Sequence, residues 1–258
     1  MKIRQAGREN PTRLRLLYRL IGKKINNRVG PIINVQTDKP LVAITFDDGP
    51  HPVTTPILIK LFRQYHAHGT FFMVGQEALK YKSLVHEMAD DGHEIGNHTM
   101  NHISMKSIDR RERWKQIQDC KKTLYPYGKK SFRPPYGEQT VWTNIDAVLQ
   151  GYQVVGWDLD VGDWSNTEFS SMADELREKI TNGTIILFHD TIHDKGQPKH
   201  KSLKESVSLS RDVMVDLVRL LLEEYSGKFQ FVTIAEMLKQ GKAQRGEIRV
   251  PNLYPPGR

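Results

Sequence analysis

The sequence has few of the features that mark export, membrane insertion or covalent cross-linking. It contains one cysteine, Cys120, so no internal disulfide can form, and the polar helical pattern around this residue predicts an inert thiol. No segment approaches the roughly 18 apolar residues that a membrane-spanning helix needs. Near the amino terminus, arginines interrupt each apolar run and no small-residue cleavage site follows, unlike in a signal peptide. We therefore predict a soluble, cytoplasmic protein.

The chain also lacks internal repeats, low-complexity tracts and the Gly-x-Gly-x-x-Gly turn of a dinucleotide-binding sheet. Its 258 residues are 38% hydrophobic and 26% charged, which is ordinary for a globular protein and excludes a fibre or a largely disordered chain. A chain of this length suits one large α/β domain with a sizeable core. We expect a monomer.

Positive charge is concentrated in an amino-terminal arm, residues 1–40. The arm holds ten Lys or Arg against two acidic residues, which accounts for the whole net charge of +8, and the rest of the chain carries 28 charges of each sign. The neutral body predicts no nucleic-acid partner. Four apolar residues of the arm lie at the spacing of one helical face: Leu14, Leu17, Tyr18 and Ile21. They predict a short amphipathic helix that either docks on the domain or contacts an anionic surface such as a membrane.

Strand and helix patterns alternate from residue 41 onward. The strand patterns are short and apolar, and they cover 41–46, 69–75, 93–97, 131–137, 152–159, 183–188 and 229–233. The helix patterns are amphipathic, and they cover 54–66, 77–91, 109–125, 140–150, 168–180, 210–225 and 234–239. About seven βα units predict an α/β fold, with a β/α barrel at 41–240 rather than a doubly wound sheet. A long polar loop at 191–205 is a candidate lid or rim insertion, and 241–258 is predicted to be an irregular tail.

Two carboxylates follow the first strand, in the run Thr45-Phe46-Asp47-Asp48-Gly49-Pro50, where a Gly-Pro turn ends the apolar residues. Further along, His98 and His102 lie four apart, and one helical turn would place both imidazoles on the same face, within reach of one metal ion. One carboxylate completes the protein ligands of the ion, and the other can act as a base. Two histidines and one carboxylate also describe the facial triad of non-haem iron oxygenases, so the triad alone leaves hydrolysis and oxidation open.

Polar clusters also follow other predicted strands, and in β/α barrels the chemistry takes place at these carboxyl ends. Together the clusters resemble the five motifs of the polysaccharide deacetylase family, also called the NodB-homology domain or carbohydrate esterase family four. The motifs are Thr-Phe-Asp47-Asp48-Gly-Pro, His98-Thr-Met-Asn-His102, Arg133-Pro-Pro135-Tyr136-Gly137, Asp160-Val-Gly-Asp163-Trp164 and Leu187-Phe-His189-Asp190. The resemblance implies a distorted (β/α) barrel, one divalent metal ion, and hydrolysis of the acetamide of an N-acetylglucosamine-type sugar to acetate and a free amine.

The resemblance also implies roles for the residues around the metal. Asp48, His98 and His102 would bind the ion, with zinc as the first choice and cobalt, nickel and manganese as alternatives. Asp47 would be the general base that takes a proton from water. A carboxylate that must stay ionised benefits from a fixed cation, and Arg133 would supply it. With Asp47 and Arg133 in these roles, the resemblance favours hydrolysis over the oxygenase alternative.

The remaining motif residues would handle the leaving group and the substrate. His189 would protonate the amine, and Asp163 would hold its imidazole in the charged form. The backbone N–H of Tyr136 would stabilise the oxyanion together with the metal. The pocket would be lined by Trp164, Leu187, Pro135 and Tyr136. The other histidines have no partner at ligand spacing: His51, His66, His68, His86, His93, His193 and His200. For the last two, we add substrate contact as a hypothesis.

The acceptor is less well defined than the reaction. Because no export signal is apparent, we favour a soluble substrate, such as a chito-oligosaccharide, a lipid-linked or nucleotide-linked precursor, or an aminoglycoside-type biosynthetic intermediate. Chitin or peptidoglycan polymer is the alternative. Two further alternatives are an amidohydrolase that acts on a non-sugar amide and a carbohydrate-binding module without catalytic activity. The binding module is disfavoured by the intact Asp47, His189 and metal triad, which consists of Asp48, His98 and His102.

Overall fold

Parallel β-strands form the centre of the computed structural model, which describes residues 27–165, 168–193 and 211–248. These strands are β2 (Leu41–Asp47), β3 (Thr70–Met73), β4 (Glu94–Asn97), β5 (Gly128–Phe132), β6 (Gln153–Val154), β7 (Leu159–Asp160) and β8 (Ile185–His189). Their order in the sheet is β6-β5-β4-β3-β2-β8-β7, and every neighbouring pair is parallel. A further strand, β9 (Gln230–Phe231), pairs in parallel with the start of β2. The sheet curls into a half-barrel, which confirms the predicted distorted β/α barrel.

Amphipathic helices follow most of the strands and cover the sheet. Those within the described residues are α1 (Thr54–Gln64), α2 (Gly75–Lys80), α3 (Lys82–Asp90), α4 (Arg110–Leu124), α5 (Val141–Leu149), α6 (Phe169–Lys179), α7 (Asp212–Tyr225) and α8 (Ile234–Leu238). The largest core cluster joins sheet and helix residues, among them Phe46, Phe188, Phe62, Leu217 and Leu221. Side chains set the helix starts: Asp109 caps α4 and Thr140 caps α5 by accepting a backbone N–H hydrogen bond.

Strand β2 lies inside the sheet, between β3 and β8, and leads into the two carboxylates. All seven of its residues are buried, as is typical of a parallel strand covered on both faces. The ring of Phe46 stacks on Phe71 of β3, with centroids 4.7 Å apart, and on Phe188 of β8 at 6.0 Å. This packing fixes the carboxyl end of β2, where Asp47 and Asp48 enter the site.

The prediction of a single strand at 152–159 is wrong. This segment forms two strands, β6 and β7, which lie on opposite edges of the sheet. After β6, the backbone N–H of Gly156 donates to the carbonyl of Ile32 instead of to β5. The N–H of Asp158 then donates to the carbonyl of Ile185 on β8, and its carboxylate accepts from the N–H of Ile185 at 2.7 Å. The segment therefore crosses from one edge of the sheet to the other.

Two other segments differ from the sequence-based expectation. The helix predicted at 77–91 is two helices, α2 and α3, because Tyr81 (φ −120°, ψ 47°) leaves the helical region between them. Within the tail predicted to be irregular, β10 (Lys242–Arg245) pairs antiparallel with β1 (Ile32–Gln36), which belongs to the basic arm. Ile32 and Val35 of β1 are buried in a second core cluster with residues such as Leu41 and Ile185, and this apolar burial favours the strand β1.

Several predictions fall on residues outside the described part of the chain: the amphipathic helix at 14–21, most of the loop at 191–205, and the tail from 249. Among the helices that are described, none combines the length and the apolar character needed to cross a membrane. Cys120 lies buried on α4, and burial raises the pKa of its thiol to about 12, in agreement with the inert thiol expected.

Candidate active site

Asp47 forms a buried ion pair with Arg133. Nη1 of Arg133 donates to Oδ1 of Asp47 at 2.8 Å and to the hydroxyl of Thr45 at 2.9 Å. The other guanidinium nitrogens donate to the carbonyls of Gly156, at 2.8 Å, and Val155, at 3.3 Å. The Arg133 side chain is fully buried, so these contacts satisfy a charge that water cannot reach. The geometry agrees with the predicted pairing of the two residues.

The three predicted metal ligands converge beside this pair. Oδ1 of Asp48 lies 3.3 Å from Nε2 of His98 and 2.9 Å from Nε2 of His102. All three side chains are buried, and one ligand atom of each lies within 4.8 Å of the others. Burial alone would raise the pKa of Asp48, but its side-chain contacts with His102 and His98 and the charges of His102 and His189 hold this pKa well below its usual range.

The orientation of His98 fits a metal ligand. Its Nδ1 lies 2.7 Å from the carbonyl oxygen of Arg133, and because a carbonyl oxygen only accepts hydrogen bonds, Nδ1 carries the proton. In the neutral imidazole, Nε2 then keeps its lone pair, which points toward Asp48. Two imidazole nitrogens and one carboxylate oxygen suit zinc and neighbouring transition metals, so these residues could hold such an ion.

The prediction of a helical turn at 98–102 is wrong. This segment is a loop, with left-handed backbone at Thr99 (φ 69°) and His102 (φ 53°). Local hydrogen bonds fix it: Oδ1 of Asn97 accepts from the N–H of Thr99, and the Thr99 hydroxyl accepts from the N–H of His102. The first backbone N–H groups of α2 donate to the carbonyls of Thr99 and Met100, both at 2.9 Å. The imidazoles meet at Asp48 because the loop turns back, not because they share a helix face.

His189 and Asp163 form the second pair of the site. Nδ1 of His189 lies 2.9 Å from Oδ1 of Asp163, and the backbone N–H of His189 donates to Oδ2 at 2.9 Å. Burial lowers the pKa of His189, but the charge and hydrogen bond of Asp163 outweigh this and raise it to about 9. A pKa of this value favours the charged imidazole at neutral pH.

The predicted pocket residues differ in exposure. Leu187 and Pro135 are buried, whereas Tyr136 and Trp164 expose 48% and 43% of their surface. Tyr136 lies in a 3-10 turn, Pro135–Gly137, with a left-handed backbone (φ 60°). Its ring centroid is 4.6 Å from that of His102, so the turn lies directly over the metal triad.

The structure adds contacts that no motif indicated. The backbone N–H of His193 donates to Oδ2 of Asp48 at 2.8 Å, and its ring packs edge-on against His102. Arg211 donates to Asp163 from two guanidinium nitrogens. Asp190 is buried and accepts from the hydroxyl of Thr55 at 2.6 Å, and burial raises its pKa to about 7. The sequence gives no signal for this role of Arg211, because the residue lies at the start of the helix predicted at 210–225 and outside the five motifs.

The other histidines within the described residues stand outside the metal cluster. Two of them support local structure: Nδ1 of His51 accepts from the N–H of Thr54, and Nδ1 of His93 accepts from the N–H of Gly69. Burial lowers the pKa of His93 to about 4, which keeps this ring neutral. His200 lies outside the described residues, and substrate contact by His193 stays a hypothesis.

Comparison with known proteins identifies the family. A family model described as polysaccharide deacetylase matches residues 34–155. A peptidoglycan-N-acetylglucosamine deacetylase from Bacillus cereus is 34% identical over 209 residues, which are 80% of this chain and 91% of the relative. A chitooligosaccharide deacetylase from Azorhizobium caulinodans is 34% identical over 168 residues, 63% of this chain and 79% of the relative.

The solved structure of the peptidoglycan deacetylase PdaC from Bacillus subtilis has the same fold. Its TM-score is 0.65 at 26% identity, over 80% of this chain and 93% of that one. Sequence and fold therefore agree with the motif geometry described above. The chain belongs to the polysaccharide deacetylase family, carbohydrate esterase family four, and is a hydrolase that acts on the N-acetyl amide bonds of carbohydrates.

Proposed function

We propose that this protein is a metal-dependent N-deacetylase that hydrolyses the acetamide of an N-acetylglucosamine-type sugar. The observation that carries the proposal is the placement of two oppositely charged pairs, Arg133 with Asp47 and Asp163 with His189, at the ends of adjacent strands beside the metal triad. Such a site can remove a proton from water on one side and deliver a proton to a leaving amine on the other.

Asp48, His98 and His102 would hold the metal, and we propose zinc, with cobalt, nickel and manganese as alternatives. A divalent ion bound there would act as a Lewis acid on the acetamide carbonyl and would lower the pKa of the attacking water. The chain prepares the site by fixing the proton of His98 on Nδ1 through the carbonyl of Arg133.

Asp47 would act as the general base through its Oδ2 atom. Its Oδ1 is occupied by Arg133, whereas Oδ2 lies 3.8 Å from Nε2 of His98 and so faces the triad. The guanidinium of Arg133 would hold the carboxylate in place through Oδ1 while Oδ2 accepts the proton. The water would lose one proton to Oδ2 as its oxygen bonds to the acetyl carbon.

His189 would act as the general acid. Its Nδ1 proton is held by Asp163, so Nε2 of the charged imidazole carries the proton that passes to the sugar nitrogen as the C–N bond breaks. Acetate and the free amine are then released.

The turn at Pro135–Gly137 would supply the oxyanion contact. We propose that the backbone N–H of Tyr136 donates to the developing oxyanion, a contact worth roughly 3 to 4 kcal/mol in comparable sites. The half-exposed rings of Tyr136 and Trp164 would contact the sugar face, and Leu187 and Pro135 would close the pocket behind the acetyl methyl group.

The proposed substrate is a soluble N-acetylglucosamine oligosaccharide, in a biosynthetic role in the cytoplasm. The name of the Azorhizobium caulinodans relative, a chitooligosaccharide deacetylase, supports this class. The Bacillus cereus relative is named for peptidoglycan, which makes the polymer the alternative.

Acetate release tests the proposal. The panel should run from N-acetylglucosamine glycosides and chito-oligomers to chitin and peptidoglycan, with added Zn²⁺ or with EDTA. Asp47→Asn and His189→Ala should abolish release, whereas Asp174→Asn, a change in an exposed ion pair, should leave it intact. Zinc-dependent release from small sugars supports the full proposal, and release from polymers alone contradicts the substrate assignment. Retained activity in Asp47→Asn and His189→Ala contradicts the mechanism.

A further inference from the structure

Arg211, the residue before helix α7, contacts the active site although it belongs to none of the five motifs. We propose that Arg211 is a positioning residue, which locks the Asp163 carboxylate in the orientation that holds the imidazole of His189. The inference rests on the proposed function, because it assumes that His189 is the general acid.

The contacts of Arg211 fix Asp163 at two points. Its Nη1 donates to the carboxylate oxygen Oδ2 at 3.2 Å, and its Nη2 donates to the backbone carbonyl of the same residue at 3.1 Å. One planar guanidinium thus bridges the side chain and the main chain of Asp163, which restricts the rotation of the carboxylate about its side-chain bonds.

The two carboxylate oxygens of Asp163 have different partners. Oδ1 receives the imidazole Nδ1 of His189, whereas Oδ2 receives the backbone N–H of His189 and the Arg211 guanidinium. The Asp163 side chain is 1% exposed and that of Arg211 is 9% exposed, so water has little access to replace a lost contact. Removing Arg211 would leave Oδ2 with one donor and free the carboxylate to turn away from the imidazole.

Charge gives Arg211 a second effect on Asp163. The neighbourhood is rich in carboxylates: Asp47, Asp48, Asp160, Asp163 and Asp190 all interact electrostatically with His189 or with one another. Arg211 brings a permanent positive charge that faces Asp163, Asp190 and Asp48. This charge attracts the carboxylate of Asp163 and counteracts its repulsion by Asp160.

A purely structural role for Arg211 would be to dock α7. Seven of the 14 residues of α7 are already buried, among them Leu217, Val218 and Leu221 in the main core. A surface ion pair, Arg177 with Glu224 at 2.6 Å, also joins α6 to α7. Apolar burial therefore holds the helix without Arg211, and Arg177 offers a matched control for loss of a helix contact.

The test is a double-mutant cycle on released acetate, with kcat and KM measured for Arg211→Met, Asp163→Asn and the double variant. Arg211→Met should lower kcat roughly 10-fold to 100-fold, as changes to residues that orient a site residue do, with KM changed less than about twofold. In the Asp163→Asn background, Arg211→Met should have no further effect, since its partner is already lost. Arg211→Lys should have a higher kcat than Arg211→Met, because its ammonium group can reach one of the two Asp163 oxygens, Oδ2 or the backbone carbonyl. Arg177→Met should match the wild type.

Thermal melts establish whether each variant is folded at the assay temperature. If Arg211→Met is not folded, Arg211→Gln takes its place. An unchanged kcat, or effects that multiply in the double variant, would overturn the inference. If Asp163→Asn and His189→Ala both keep wild-type activity, the proposed mechanism itself fails. If they lose activity while folded Arg211→Met keeps it, only the role of Arg211 fails.

Discussion

Asp47 and His189 lie opposite each other at the carboxyl ends of the neighbouring parallel strands β2 and β8. Both side chains are largely buried and each has its own counter-charge, Arg133 for the carboxylate and Asp163 for the imidazole. In the proposed mechanism, the two pairs therefore place the proton acceptor and the proton donor next to each other. The predictions below test these pairs and the loops that hold them.

The first prediction concerns the alkaline limb of the pH profile. A general acid must be protonated, so with the pKa of His189 raised to about 9, kcat should hold through neutral pH and fall as pH rises toward 9. A metal ion bound at the triad would add positive charge, which lowers the pKa of His189. The alkaline limb of the metal-loaded enzyme should therefore lie at or below pH 9. In Asp163→Asn, the imidazole loses the strongest influence that raises its pKa while burial still lowers it, so the limb should move toward acid by at least about one pH unit.

The measurement is kcat for acetate release across pH 6 to 10 for the wild type and Asp163→Asn. Asp174→Asn serves as the control, since it removes an exposed carboxylate that is paired only with Arg177 in the described contacts. A limb at the same pH in the wild type and Asp163→Asn would contradict the role of Asp163.

The second prediction concerns stability. Arg133→Met leaves Asp47 as a buried carboxylate without its cation and removes donors from the Thr45 hydroxyl and two carbonyls. Breaking a buried pair in this way costs about 3 to 5 kcal/mol of unfolding free energy. Urea unfolding in the presence of EDTA measures the loss. Arg63→Met removes the exposed pair with Asp91 and should cost no more than about 1 kcal/mol; equal losses for the two variants would count against the buried pair.

The third prediction concerns metal binding. His102→Ala removes one of the three donor atoms and should weaken zinc affinity by more than the roughly 10-fold to 100-fold typical of outer-sphere changes. Isothermal titration calorimetry of metal-free protein with Zn²⁺ measures the affinity without reference to catalysis. His86→Ala, at an exposed histidine paired with Asp90, should bind zinc as the wild type does. Equal affinity for His102→Ala would exclude the triad as the metal site.

The sequence was a good guide where the site depends on strand ends. Asp47, Asp48 and His189 follow apolar runs that form buried strands, so their meeting at one edge followed from the barrel alone. The family resemblance predicted Arg133 as the partner of Asp47 and Asp163 as the partner of His189. The structure places each partner within hydrogen-bond distance of its residue.

The sequence was a poor guide where geometry depends on loops and distant contacts. The spacing of His98 and His102 suggested a helical turn, but tertiary hydrogen bonds from α2 stabilise a loop with left-handed residues instead. The division of 152–159 into β6 and β7 depends on a hydrogen bond to Ile32, far away in the chain. Arg211 likewise reaches Asp163 only in the folded protein, so no local pattern marks either contact.

The last prediction concerns the Gly49-Pro50 turn that follows the two carboxylates. A Cβ atom built on Gly49 would lie 2.2 and 2.3 Å from the carboxylate oxygens of Asp190, which is buried and bonded to Thr55. Neither group can move without disturbing the turn after Asp48, so Gly49→Ala should cost about 1 to 3 kcal/mol of stability, as overpacking does elsewhere. Zinc affinity should fall as well, because the same turn orients Asp48.

Thermal melts and zinc titration measure the two effects. Gly227→Ala is the matched control, since a Cβ there meets no atom within 4 Å. Adding Asp190→Ala to Gly49→Ala removes the clashing oxygens. If the clash is the cause, the stability lost on going from Gly49 to Ala should be smaller in the Asp190→Ala background than in the wild type. An equal loss in both backgrounds would place the effect in the backbone of the turn itself.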